Sequence, residues 1–321
     1  MRHDPAGRQL PSASLSLGPV MEKKRADVAS GAALAFALGA VALWATNALV
    51  GKTLLASHPV SEVQFLQFCG AALVFALIRL ATRAVPATEA AGLIEFKTTL
   101  AAYAVGFIGL VGTMVLQYAA FASMPVIEAN LVAYTWPLMV AAAIIVLGRP
   151  KRPLLLGVTA ALGFVGVALV ISGGRTHAWF EGGSLAGYAA AFGSALCMAF
   201  YSIAVGRLAV PPDRLLLPSA VIGVALTFAW CLHDGAAGLS GVDLLLGLYL
   251  GAGPMGLGYY FWSRALSLDQ GGRLAIVAYL TPIASTLLLA LSGESLSTTA
   301  IAGAVLVIGS CIAVGIERSE T

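Results

Sequence analysis

The chain has 321 residues, 59% of them hydrophobic and only 10% charged, with a mean hydropathy of +0.91. Soluble domains carry about 25% charged residues, so a chain this poor in charge could not cover a water-facing surface and is read as lipid-facing. Its net charge of +3 is too small to suggest a nucleic-acid partner.

Residues 1–29 are polar and basic (Arg2, Arg8, Lys23, Lys24, Arg25) and are expected to form a disordered cytoplasmic tail. The first apolar run starts near Ser30 and continues to about residue 52. That outlasts the apolar core of a signal peptide, about 7–15 residues, so it predicts a retained helix. A helix needs about 20 apolar residues to cross the hydrocarbon layer. Further runs of that order fall at 62–80, 100–121, 126–147, 154–173, 184–206, 215–232, 242–265, 274–292 and 298–316. Ten spans are therefore expected, and the absence of long alternating stretches argues against a barrel. Cys69, Cys197, Cys231 and Cys311 each stand alone in apolar runs. That spacing supports neither a metal nor a redox framework.

The basic residues orient the chain, because cytoplasmic loops are enriched in Lys and Arg. With both termini inside, 16 of the 18 Lys and Arg fall on the cytoplasmic side, and only Lys52 and Arg175 fall outside. His58, His177 and His233 then lie in outer loops. The fourth run reads Val132-Ala133-Tyr134-Thr135-Trp136-Pro137, with Gly148 eleven positions on; the ninth reads Val277-Ala278-Tyr279-Leu280-Thr281-Pro282, with Gly293 eleven on. The offset is 145 throughout. Gly157 and Gly163 match Gly303 and Gly309 in the fifth and tenth runs, and Gly51-Lys52 matches Gly206-Arg207. Five spans per repeat is an odd number, so the second repeat must enter the membrane inverted. The fold class expected is an all-α integral membrane protein of two inverted five-helix repeats, 30–173 and 184–316, with 317–321 a second cytoplasmic tail. Inverted repeats of this kind are a solute-transporting architecture, with the site near the midplane between the halves.

Several stretches resemble the drug/metabolite transporter superfamily, in its ten-helix EamA-type branch. They are Leu43-Trp44-Ala45-Thr46, Ile127-Glu128 followed by Tyr134-Thr135-Trp136-Pro137, Tyr259-Tyr260-Phe261-Trp262, and Tyr279-Leu280-Thr281-Pro282. The Tyr-x-Trp-Pro segment resembles, within that branch, the YddG-type subfamily of aromatic amino acid exporters. The resemblance implies a central cavity touched by Tyr134 and Trp136, and implies export rather than import. A sixth-helix aromatic of that subfamily falls near Cys197-Met198 here, so its contact is missing or is supplied by Tyr201. A third-helix aromatic is replaced near Thr113.

No Asp, Glu, His or Arg lies well inside any span. Lys52, Arg79 and Arg264 lie near span ends, where long side chains reach the interface. This disfavours carboxylate-based proton/drug antiport. The candidate cavity residues are neutral: Trp44 and Asn47; Thr113 and Gln117; Asn130, Tyr134 and Trp136; Tyr201; Tyr259 and Trp262; Tyr279 and Thr281. Within each helix the spacing keeps them near one face. Such groups can orient an ammonium and a carboxylate without permanently burying a charge, and the rings can stack on an apolar side chain or attract an ammonium. Structural roles compete with these. Trp179 and Trp230 fit interfacial anchors, and Asn47 and Gln117 could serve interhelical hydrogen bonding. Tyr259, Trp262 and Tyr279 could serve packing. Pro137 and Pro282 either kink their helices or free a carbonyl. Glu128 is favourable in a first helical turn whatever its function.

The expected activity is export of aromatic or other apolar amino acids and related metabolites by alternating access, across the inner (plasma) membrane. Extrusion of neutral drugs or sugars is the alternative. A membrane-embedded lipid-modifying enzyme is remote, because no HExxH, GxSxG or paired acidic constellation is present. No cofactor or metal is expected. The expected partners are a small-molecule substrate and the lipid bilayer, with a monomer sufficing.

Overall fold

The computed structural model describes residues 19–83, 96–148, 152–172, 184–208, 210–235, 240–268, 273–291 and 298–319. Among these residues all regular structure is helical. Eight helices are long and apolar enough to cross a membrane: Ala29–Leu55, Val60–Thr82, Thr98–Ser123, Glu128–Leu147, Pro153–Ser172, Leu185–Val205, Arg214–Asp234 and Gly241–Leu268. Two shorter apolar helices follow, Leu274–Ser285 and Ile301–Ala313. These ten segments, numbered first to tenth below, overlap the ten runs of the sequence. The first helix begins at Pro19, so Lys23, Lys24 and Arg25 are helical where a tail is expected, and the last helix continues to Ser319. The remainder of the expected N-terminal tail, residues 1–18, lies outside the described residues.

Five of the described segments are not continuous α-helices. The first breaks between Trp44 and Asn47, and the fourth between Ala133 and Trp136. Both breaks are built by a threonine. Thr46 donates its hydroxyl to the Leu43 carbonyl at 2.8 Å, and Thr135 donates to that of Val132 at 2.6 Å. In each case the backbone N–H tightens onto the same carbonyl, at 3.2 and 3.1 Å. A side chain thereby competes with the helical ladder. Pro137 then occupies the first turn of the helix Trp136–Ala143, where its missing N–H would be unpaired in any case. Pro282 sits likewise in the first turn of Leu280–Leu291, after a 3₁₀ stretch over Arg273–Tyr279. Both prolines therefore stand in the first helical turn after a change of backbone within their segment.

The third and eighth segments widen into π-helical turns at Phe107–Gly112 and Gly251–Leu257, corresponding places in the two repeats. Such turns shift the hydrogen-bond register and release carbonyls from the α ladder.

The most extensive packing runs between the repeats. The tenth segment packs on the fifth, the seventh on the second, the third on the sixth, and the first on the eighth. The second also crosses the eighth, as the seventh crosses the third. This pattern maps onto itself when the repeats are exchanged, which is the signature of a pseudo-two-fold arrangement. Glycines set the closest crossings. A methyl on Gly106 would meet the Leu215 carbonyl oxygen at 2.6 Å, and one on Gly251 would run into that of Gln67. The two glycines are 145 positions apart. The fifth and tenth segments touch backbone to backbone, with a Gly303 methyl reaching the Gly166 oxygen at 2.5 Å. Small residues at helix crossings are what membrane packing favours, because close van der Waals fit replaces the hydrophobic drive.

Candidate functional site

Five aromatic rings from four segments meet inside the bundle. Trp262 is the hub, 5.4 Å between ring centroids from Trp44 and 5.5 Å from Trp136, the latter edge-to-face. Trp44 also meets Tyr259 at 6.0 Å, and Tyr259 meets Tyr201 at 5.6 Å. These separations are those of offset and T-shaped aromatic pairs. Trp262, Tyr259 and Tyr201 are fully buried and Trp136 nearly so. The cluster unites the first, fourth, sixth and eighth segments, and all five rings are among the candidate residues of the sequence. Tyr201, three to four residues after Cys197-Met198, is one of the five rings.

The polar edges of these rings are satisfied by the irregular backbone beside them. Trp44 Nε1 donates to the Pro254 carbonyl at 3.0 Å, inside the π-turn of the eighth segment. The Tyr259 hydroxyl reaches the Gly109 carbonyl at 3.4 Å, inside the π-turn of the third. Trp262 Nε1 donates to Ser202 Oγ at 3.1 Å. Ser263 donates to the Tyr259 carbonyl at 2.6 Å, so Tyr201 donates to Ser263, also at 2.6 Å. The π-turns thus supply acceptors that a regular helix would keep for itself.

Three further candidates, Thr113, Tyr279 and Thr281, carry buried hydroxyls that make no well-formed hydrogen bond among the described residues, although Tyr259, the Leu138 backbone and Tyr134 respectively lie beside them. An unpartnered buried polar group costs about 1–3 kcal/mol, which marks these as positions where a polar ligand atom would be welcome. The Tyr134 hydroxyl lies beside that of Thr281, across the fourth and ninth segments. Tyr279 packs away from the ring cluster, on Gly163 of the fifth segment, where a methyl would lie 2.7 Å from its ring. Gln117 and Asn130 are half-buried. Glu128 accepts a hydrogen bond from Tyr188, tying the fourth segment to the sixth.

Asn47 leads to a second polar group that the sequence reading missed. Gln64 donates to Gln67, whose Nε2 donates to the Tyr118 hydroxyl at 2.7 Å, and Tyr118 donates to Asn47 Oδ1 at 3.1 Å. Gln64, Gln67 and Tyr118 are completely buried. Two amides at i, i+3 in an apolar run were the available signal. At the end of the same helices, His58, in the loop between the first and second segments, meets two carboxylates. Its Nδ1 lies 3.2 Å from Glu62 and its Nε2 3.1 Å from Asp243. Glu62 is only 5% exposed. Nearby, Ser61 donates to Asp234 at 2.7 Å. His177 and Trp179 lie outside the described residues.

An apolar groove between the third and seventh segments, lined by Phe107, Val111, Val115, Leu226 and Trp230, faces outward and shares none of the ring cluster.

The EamA-like transporter family matches this chain over residues 31–172 and again over 185–316, one copy per repeat. The aromatic amino acid exporter YddG of Ancylobacter novellus is 28% identical over 284 residues, which cover 87% of this chain and 96% of that protein. A solved crystal structure superposes with a TM-score of 0.73 at 23% identity, covering 88% of this chain and 97% of its own, and shares the fold.

Proposed function

Because the chain belongs to the EamA-like transporter family, we propose that it exports aromatic or other apolar amino acids and related metabolites across the inner membrane, by alternating access. In this reading all ten segments cross the bilayer and both termini face the cytoplasm, as the distribution of 16 of the 18 basic residues favours. The observation that carries the substrate class is the neutral ring cluster of Trp44, Trp136, Tyr201, Tyr259 and Trp262, drawn from both repeats. Rings that separate as the repeats rock apart would present faces able to stack on an apolar or aromatic side chain. The orphaned hydroxyls of Thr113 and Thr281 would meet the ammonium and carboxylate without a permanent buried charge. The likeness to a protein named an aromatic amino acid exporter supports the same reading.

The test is flux of labelled tryptophan, phenylalanine and tyrosine in liposomes holding folded protein. Uptake or efflux above empty vesicles, competed by the unlabelled amino acids and not by neutral sugars, is the expected result. No flux of any amino acid, or flux competed by neutral drugs alone, defeats it.

A further inference from the structure

We infer that His58, Glu62 and Asp243 form a proton-operated clasp that holds the outer rim of the transporter shut. The inference rests on the transport reading and the orientation proposed above.

The geometry itself specifies the protonation state of the closed clasp. Both carboxylates are acceptors only, and a neutral imidazole has a single N–H to donate. Contacts of 3.2 Å from Nδ1 to Glu62 and 3.1 Å from Nε2 to Asp243 can both be hydrogen bonds only when the ring is an imidazolium. Loss of the proton therefore gives up one of the two, and leaves a lone pair facing a carboxylate. The hydrogen bond that His58 donates to Asp243 is the chief cause that raises its affinity for its proton, opposed by burial and reinforced by Glu62. The sign follows. The clasp is complete at and below the ordinary histidine range, and weakens as pH rises through the raised value.

The partners decide what opens. His58 follows the first segment and Glu62 starts the second, both in the first repeat, whereas Asp243 starts the eighth, in the second repeat. The clasp thus ties the repeats together across the rim. Eight residues along each helix, the same two segments cross at Gly70 and Gly251, where a Gly70 methyl would meet the Leu248 oxygen at 2.6 Å. Eight residues of helix span about 12 Å, so the clasp acts at the end of a lever whose pivot is a backbone contact. Between pivot and clasp, the buried polar side chains described on the second segment are the neutral amides Gln64 and Gln67. In this reading the proton acts at the rim. The seventh segment brings Asp234, His233 and Cys231 to the same rim, with Asp234 held by Ser61 at 2.7 Å and by His233 at 3.3 Å. Lys52, at the end of the first segment, is exposed.

The experiment is hydrogen–deuterium exchange of the peptide covering residues 57–66, in liposomes at external pH of about 6 and about 8.5, corrected for intrinsic rates. Wild type is expected to lose protection by about fivefold at the higher pH, the size of one modest ion pair. His58→Gln is expected to exchange at one pH-independent level, and Asp243→Asn to lose its protection at a lower pH than wild type. Tryptophan efflux from the same liposomes should rise with external pH in wild type and not in His58→Gln. Protection independent of pH in wild type, or an unchanged pH response in folded His58→Gln, overturns the clasp. A pH-dependent clasp in a protein that moves no amino acid overturns the export reading and leaves the clasp standing.

Discussion

The third and eighth segments occupy corresponding places in the two repeats and share a backbone, yet they carry different chemistry. Each opens its π-turn beside a glycine pressed on the second helix of the other repeat, Gly106 in one and Gly251 in the other. Each offers a carbonyl from that turn to a ring of the central cluster, Gly109 to Tyr259 and Pro254 to Trp44. At the next positions the likeness ends. Thr113 and Gln117 in the third segment correspond, at the offset of 145, to Gly258 and Trp262 in the eighth. Trp262 is the hub of the rings, whereas Gln117 is a half-buried amide. The symmetric part is what membrane packing demands. The asymmetric part is where the ring cluster is built, on the eighth segment and not at the corresponding place in the third.

Paired substitutions test this division. Trp262→Ala should be the most damaging, because it empties a fully buried site touching two other tryptophans; a loss of about 3–5 kcal/mol is expected, read as melting in detergent. Gln117→Ala, at the corresponding place, should cost well under 1 kcal/mol. Equal losses would break the comparison. Gly106→Ala and Gly251→Ala should each cost about 1–3 kcal/mol, by driving a methyl into a facing carbonyl. A large effect at one and none at the other would mean that the backbone symmetry is not energetic. Trp136→Ala should lower the transport rate about tenfold, more than it lowers folded yield. Parallel losses in both would reduce the ring to packing. Tyr118→Phe should cost about 1 kcal/mol, since it strands Gln67 and Asn47 but leaves the rings in place. Gly309→Ala is the smallest, near zero, because nothing lies within 4 Å of the added methyl.

The positions of the apolar segments were legible from hydropathy alone, because lipid tolerates so few unpaired polar groups. The repeat was legible from the offset of 145 between Tyr134-Thr135-Trp136-Pro137 and Tyr279-Leu280-Thr281-Pro282. The neutrality of Trp44, Trp136, Tyr259 and Trp262 was equally plain. Their convergence was not, since helical spacing fixes a face and says nothing of what stands opposite. Tyr279 illustrates this: it matches Tyr134 in sequence but packs on the fifth segment instead of entering the ring cluster. The prolines are read from sequence as kinks or freed carbonyls, and in the fold each lies in the first turn of the helix after a break or a 3₁₀ stretch.

The sequence by itself determined that this chain lives in a membrane, that it is built from two related halves, and that its interior is aromatic and almost uncharged. These are properties of composition and period, which survive any arrangement of the helices. Tertiary structure alone decided which rings touch, which carbonyls the π-turns release to them, and that His58 has two carboxylates rather than open water around it. Each of these is a contact between residues far apart in the chain, such as the 185 positions between His58 and Asp243. Such contacts exist only once the repeats have packed against each other.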